Sequence, residues 1–99
     1  MKDKLLQIIN HYGVMKQLKY IHSEYFELDE AILNFRPSWY YGEETEETIK
    51  DRNHITEELA DVMVMLKQFQ YYYGISNDEI LDIMNEKIDR QLERIKEEK

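Results

Sequence analysis

Three glycines and one proline are all the strong punctuation in a chain of 99 residues. Long unbroken intervals between them carry apolar residues at alternating spacings of three and four, the pattern of helices that bury one face. A first helix is expected from Asp3 to Tyr12, ended by Gly13, which can take the left-handed backbone that often closes a helix. The second runs from Val14 to about Phe35, with Leu18, Ile21, Tyr25, Leu28, Ile32 and Phe35 as its stripe. Arg36-Pro37 stops it, because proline disfavours helical geometry in the residue before it. Residues Ser38 to Arg52 read as a loop with room for one short helix; they hold Trp39-Tyr40-Tyr41-Gly42 and the acidic run Glu43 to Glu47. A third helix begins near Asn53, carries Ile55, Leu59, Val62, Leu66, Phe69 and Tyr73, and ends at Gly74. Ser76-Asn77-Asp78-Glu79 has the form of a capping box. The fourth helix therefore starts at Ser76 and runs towards Lys96, with Leu81, Met84, Ile88, Leu92 and Ile95 along one side. An all-α fold, a four-helix-type bundle forming one domain over residues 1–99, is the simplest architecture that buries these stripes.

Size and charge narrow the functions available. A single domain this short buries a modest core, so association into a homodimer or homotetramer is expected. The net charge of -8 argues against a partner recognised through its phosphate backbone, and no nucleic acid polymer is expected. Cysteine is absent, which excludes disulfides and thiolate zinc sites. The amino-terminal residues lead into a short, interrupted apolar patch, and nowhere do apolar residues run long enough to span a bilayer. No membrane partner and a cytoplasmic location are the expectation.

Two acidic pairs carry the chemistry. Glu24-x-x-Glu27 and Glu58-x-x-Asp61 each place two carboxylates one turn apart on one helix face. Within each pair both acids precede a stripe position by one residue: Tyr25 and Leu28 on the second helix, Leu59 and Val62 on the third. Both pairs thus border the core at a matched angle, whereas an ordinary charged face lies opposite the stripe. Brought together they make a four-carboxylate cage, unfavourable without cations because like charges at close range repel one another. A divalent metal is the natural counterion.

The fourth helix adds a cationic strip, Lys87, Arg90 and Arg94. Arg90 lies within helical reach of Glu86 and Glu93, and Arg94 within reach of Glu97 and Glu98, as in a salt-bridged surface. Lys87 has no acid three or four positions away on its own helix. Arg94 is read as surface, while Lys87 and Arg90 are read as contacts for a metal-bound polyphosphate.

These residues together resemble a known family. Glu24-Tyr25-Phe26-Glu27-Leu28-Asp29-Glu30-Ala31-Ile32 is similar to the first motif of the MazG-like, all-α nucleoside triphosphate pyrophosphohydrolases. Glu57-Glu58-Leu59-Ala60-Asp61-Val62 resembles their second motif, and Glu86-Lys87-Ile88-Asp89-Arg90-Gln91 their basic carboxy-terminal helix. The resemblance covers about Gly13 to Ile95 and departs at Ser23, where many members carry a further Glu. It implies that Glu24, Glu27, Glu58 and Asp61 bind magnesium, and that Lys87 and Arg90 contact substrate phosphates. The implied reaction cleaves a nucleoside triphosphate between the α- and β-phosphates, giving the monophosphate and pyrophosphate.

Charge suggests the division of labour. Carboxylates can hold magnesium while leaving positions for phosphate and water, and either Glu27 or Glu58 can take a proton from that water. Lys87 and Arg90 stabilise charge on the leaving pyrophosphate. Trp39 and His54 are candidates for the nucleobase, since bases stack on aromatic rings and His54 precedes Glu58 by one turn. Packing is the commoner employment of Trp39 and its tyrosine neighbours. The rival reading is a non-catalytic acidic helical module that binds other proteins.

Overall fold

A computed structural model describes residues 1–35 and 45–98 of the chain. Among them are four α-helices and no strand: α1 (Lys2–Tyr12), α2 (Val14–Leu33), α3 (Glu46–Tyr72) and α4 (Asn77–Glu97). The expected stop at Arg36-Pro37, the aromatic segment with Trp39, and Glu43 and Glu44 lie outside the described residues.

The helix ends follow local chemistry. Gly13 joins α1 to α2 at φ +90°, ψ 149°, a backbone conformation left almost entirely to glycine. Gly74 ends α3 in the left-handed region, at φ +69°. There the Ile75 amide donates to Gln70 O and the Gly74 amide to Tyr71 O, the paired closure of a Schellman motif. Two residues later the capping box forms: the Glu79 amide donates to Ser76 Oγ at 3.1 Å, and the Ser76 amide to Glu79 Oε2 at 2.8 Å. Asn77 Oδ1 ties this corner together, accepting from Lys67 Nζ at 2.7 Å and Gln70 Nε2 at 2.8 Å.

The start of α3 differs from expectation. Instead of beginning near Asn53 after a loop, the helix begins at Glu46 with Thr45 as its cap, whose hydroxyl accepts from the Thr48 amide at 3.3 Å. Glu46 and Glu47 sit in the first turn, where the positive end of the helix dipole favours them. Glu46 and Glu47, which read as loop in the sequence, are here the chemistry of a helix start.

Packing involves three helices. α1 lies against α2 and α3, and α2 against α3, around Leu5, Ile9, Ile21, Ala31, Val62 and Met65. α4 leaves the corner after α3 without joining this body, and none of its residues is buried. Leu81, Met84, Ile88, Leu92 and Ile95, expected in a core, are each more than half exposed. The radius of gyration, 17.4 Å, accordingly exceeds the ~13 Å of a compact domain of this length.

The buried face of α2 is also rotated from its apolar stripe. Gln17, Ile21, Glu24 and Ala31 point inward, while Leu18, Tyr25 and Ile32 remain exposed. On α3 the inward residues are Val62, Met65 and Gln68, leaving Leu59, Met63 and Leu66 exposed. The rotation carries Glu24 from the border of the core into its interior.

Candidate metal centre

α2 and α3 bring the two acidic pairs face to face. Glu24, Glu27, Glu58 and Asp61 each present a carboxylate oxygen, and these oxygens lie within 4.8 Å of one another. Their environments differ in a graded way: Glu24 is 6% exposed, Glu58 half-buried, and Glu27 and Asp61 exposed. The cluster therefore has an interior wall and an open mouth.

Two oxygens on the interior side are unsatisfied. Glu24 Oε2 and Glu58 Oε2 are buried without a hydrogen-bond partner. A buried carboxylate oxygen without a donor or cation costs free energy on the scale of a lost charged hydrogen bond, about 1–3 kcal/mol or more. Repulsion shows at the mouth as well. The Glu27 carboxyl is held above the usual carboxylate range, first by the charge of Glu58 beside it. A bound cation would relieve both defects at once.

The donor set suits a hard cation. Four carboxylates from two rigid helices, with neither thiolate nor imidazole among them, match the oxygen preference of magnesium or calcium. Two flanking groups steady the carboxylates. His54 Nε2 stands 3.4 Å from Glu58 Oε1, one turn away on α3. Tyr20 lies one turn before Glu24 on α2, and the accepting carboxylate of Glu24, with its charge, raises the phenol above its usual range. His54, expected against a nucleobase, thus stands beside Glu58 at the cluster.

Lys87 and Arg90 are not delivered to this cluster by packing within the chain, because α4 does not join the body that holds it. Both are exposed. Trp39 lies outside the described residues.

Beside the cluster is a cavity of about 460 Å³ between α1, α2 and α3, sharing Glu24 and Asp61 with it. Gln17 and Gln68, Tyr12 and Tyr20, and Lys16 are among its lining residues. The sequence reading assigned none of these five a role. Only their interruption of apolar helix faces marks the two glutamines, and that becomes a signal once the buried face is known.

Comparison of the chain with protein-family models, curated proteins and solved structures finds no match in any of the three.

Proposed function

We propose that the chain is a magnesium-dependent nucleotide pyrophosphohydrolase of the MazG-like kind, hydrolysing a (d)NTP to (d)NMP and pyrophosphate as a homodimer or homotetramer. The observation that carries this reading is the convergence of four carboxylates with two buried, unpartnered oxygens. Such a site is incomplete without cations, and a cation held at an open mouth suits a polyphosphate substrate. Glu24, Glu27, Glu58 and Asp61 hold the magnesium. When bound, it offsets phosphate charge and acidifies a water held there.

The chain's own residues divide the remaining work. The attacking water oxygen bonds to the α-phosphorus as the bond from that phosphorus to the bridging oxygen breaks, and pyrophosphate leaves. Glu27 takes the proton from the water, because its carboxylate is the glutamate of the cluster that opens to solvent. Glu58, half-buried and 3.4 Å from His54, would serve as a metal ligand alone. Lys87 and Arg90 meet the leaving pyrophosphate from the α4 of a second copy. In that assembly the apolar side of α4 covers the exposed Leu59, Met63 and Leu66 of its partner, removing apolar surface from water.

The rival, a non-catalytic acidic helical module, draws on the same uncovered face of α4. Incubation with Mg²⁺ and a panel of (d)NTPs, with products identified by phosphorus NMR, separates the two. Monophosphate and pyrophosphate are expected. Orthophosphate as the first product overturns the cleavage position, and no turnover of any nucleotide leaves the interaction module.

A further inference from the structure

The helix pair that carries the carboxylates leaves one side uncovered. α2 and α3 run antiparallel: Gln17 Nε2 donates to Gln68 Oε1 at 2.8 Å, and further along Glu27 lies beside Glu58. Each inward residue of α2 is followed by an exposed apolar or aromatic one, Gln17 by Leu18, Glu24 by Tyr25 and Ala31 by Ile32. The same holds on α3, where Glu58 precedes Leu59, Val62 precedes Met63 and Met65 precedes Leu66. One step along an α-helix turns the face by about 100°, and on antiparallel neighbours that turn goes to the same side. α1 takes the opposite side, since its Ile8 and Tyr12 line a cavity with Tyr20, Asp61 and Val64, each one position before an inward residue. The uncovered side is therefore an apolar face two helices wide, the place of a fourth helix in a bundle.

α4 has the stripe to fill that place and does not lie there. Only residues 73–76 separate α3 from α4, a connection of the length that folds two helices into an antiparallel hairpin. Instead the two helices diverge from a groove of about 500 Å³, lined by Met63 and Leu66 on α3 and by Ile80, Leu81 and Met84 on α4. The corner sets that direction. Asn77 Oδ1 accepts from Lys67 Nζ at 2.7 Å and from Gln70 Nε2 at 2.8 Å, and Gln70 Nε2 also donates to Ile75 O at 3.1 Å. A connection of hairpin length held open is the condition under which identical chains exchange an element.

The groove also sets a register. With Met84 beside Leu66 and the same rise per residue on both helices, an α4 laid antiparallel on α3 puts Ile88 on Met63, Leu92 on Leu59 and Ile95 on Ile55. Charge agrees, because Asp82 falls level with Lys67, and each follows a residue of its stripe by one. A slip of one turn sets Ile95 against Arg52 and parts Asp82 from Lys67.

We infer that two copies exchange α4: each α4 lies antiparallel on the partner's α3 in this register and completes the partner's bundle, and the Asn77 corner is the hinge that directs it outward. Arg90 then falls level with the partner's Ala60, between Glu58 and Asp61 along α3. This rests on the association proposed above and not on the reaction.

Cysteine pairs test it, since the chain has no cysteine of its own. Leu59 and Leu92 are 44% and 53% exposed, so replacing them leaves the α1–α3 body in place. The double variant Leu59→Cys with Leu92→Cys, oxidised at low protein concentration, is expected to run as a covalent dimer on a non-reducing gel. Leu59→Cys with Leu81→Cys, about 16 Å out of register, is expected to stay unlinked. A disulfide closed within one chain overturns the exchange, equal linking of both pairs overturns the register, and a monomer with no disulfide overturns both. Lengthening the hinge tests its role: about six Gly and Ser residues inserted after Gly74 let α4 reach its own α3. The lengthened double variant is expected to sediment as a monomer and to close the disulfide between positions 59 and 92 within the chain, and a covalent dimer there overturns the hinge. None of these readouts uses nucleotide turnover. A protein that hydrolyses no nucleotide yet links positions 59 and 92 across two chains loses the pyrophosphohydrolase reading and keeps the exchange; one that hydrolyses nucleotide and links them within one chain does the reverse.

Discussion

Glu24 and Glu58 meet from neighbouring helices with the same defect: each keeps one buried carboxylate oxygen, Oε2, without a hydrogen-bond partner. Side-chain rearrangement alone does not repair both, because each sits among other carboxylates. The acidic cluster is therefore a place where the fold sacrifices stability, and such sacrifices concentrate at sites that bind something.

Metal should return that stability. A ligand that binds only the folded state at a hundredfold excess over Kd adds about 2.7 kcal/mol, and in a domain of this size each kcal/mol moves the midpoint by about 4–8 °C. Differential scanning fluorimetry with and without Mg²⁺ should show a rise of several degrees for the wild type and none for Glu58→Gln. Without metal, Glu58→Gln should melt no lower than the wild type, since it removes a repelling charge. A Mg²⁺ response that survives in the variant counts against Glu58 as a ligand.

The acidity of Glu27 gives a signed expectation for the metal-free protein. Its folded pKa is raised, chiefly by Glu58, above the ordinary 4.5. The folded state therefore binds the proton more tightly than the unfolded chain does. The stability this confers is fully present below the unfolded pKa and is lost as pH rises through the folded one. In EDTA, Glu27→Gln should be more stable than the wild type near neutrality, and the gap should close on acidification towards the ordinary carboxylate range. Thermal midpoints of the two proteins across pH check this, and a gap that widens on acidification reverses the sign.

Much of this was legible in residue spacing, and the failures share a cause. Gly13, Gly74 and the Ser76–Glu79 box mark helix ends through backbone chemistry that needs no distant partner, and the structure has all three. The four carboxylates were legible because three-residue spacing fixes a helix face. Apolar periodicity was less faithful. It reports every surface a helix buries in any assembly, whereas the single chain buries only part of each stripe, with Gln17 and Glu24 inside and Leu18 and Tyr25 outside. The cavity had only the interruption of two apolar faces as a signature, readable once the buried faces are known, since it depends on three helices and on a pair of glutamines 51 positions apart.

The uncovered side of α4 should determine assembly. A helix with Leu81, Met84, Ile88, Leu92 and Ile95 in water has a strong reason to find a partner. Sedimentation velocity should show a dimer or tetramer for the wild type. Ile88→Glu with Leu92→Glu should give a monomer whose circular dichroism keeps the helices of the α1–α3 body, because neither residue contributes to that body. An oligomer that persists places the interface elsewhere.

Lys87 and Arg90 make the assembly matter to catalysis, and a mixing experiment isolates the point. α4 does not fold onto its own cluster, so in the proposed enzyme its cations act at the partner's site. Glu58→Gln lacks a metal ligand, and Lys87→Ala with Arg90→Ala lacks the cations, so each homodimer should be inactive. Unfolded together and refolded, half of the dimers are mixed. One of the two sites in each mixed dimer then combines intact carboxylates from one chain with intact cations from the other. Activity should recover to roughly a quarter of the wild-type level, the share expected for random pairing across a two-fold interface. If the cations acted within their own chain, every site in the mixture would lack one component and no activity would return.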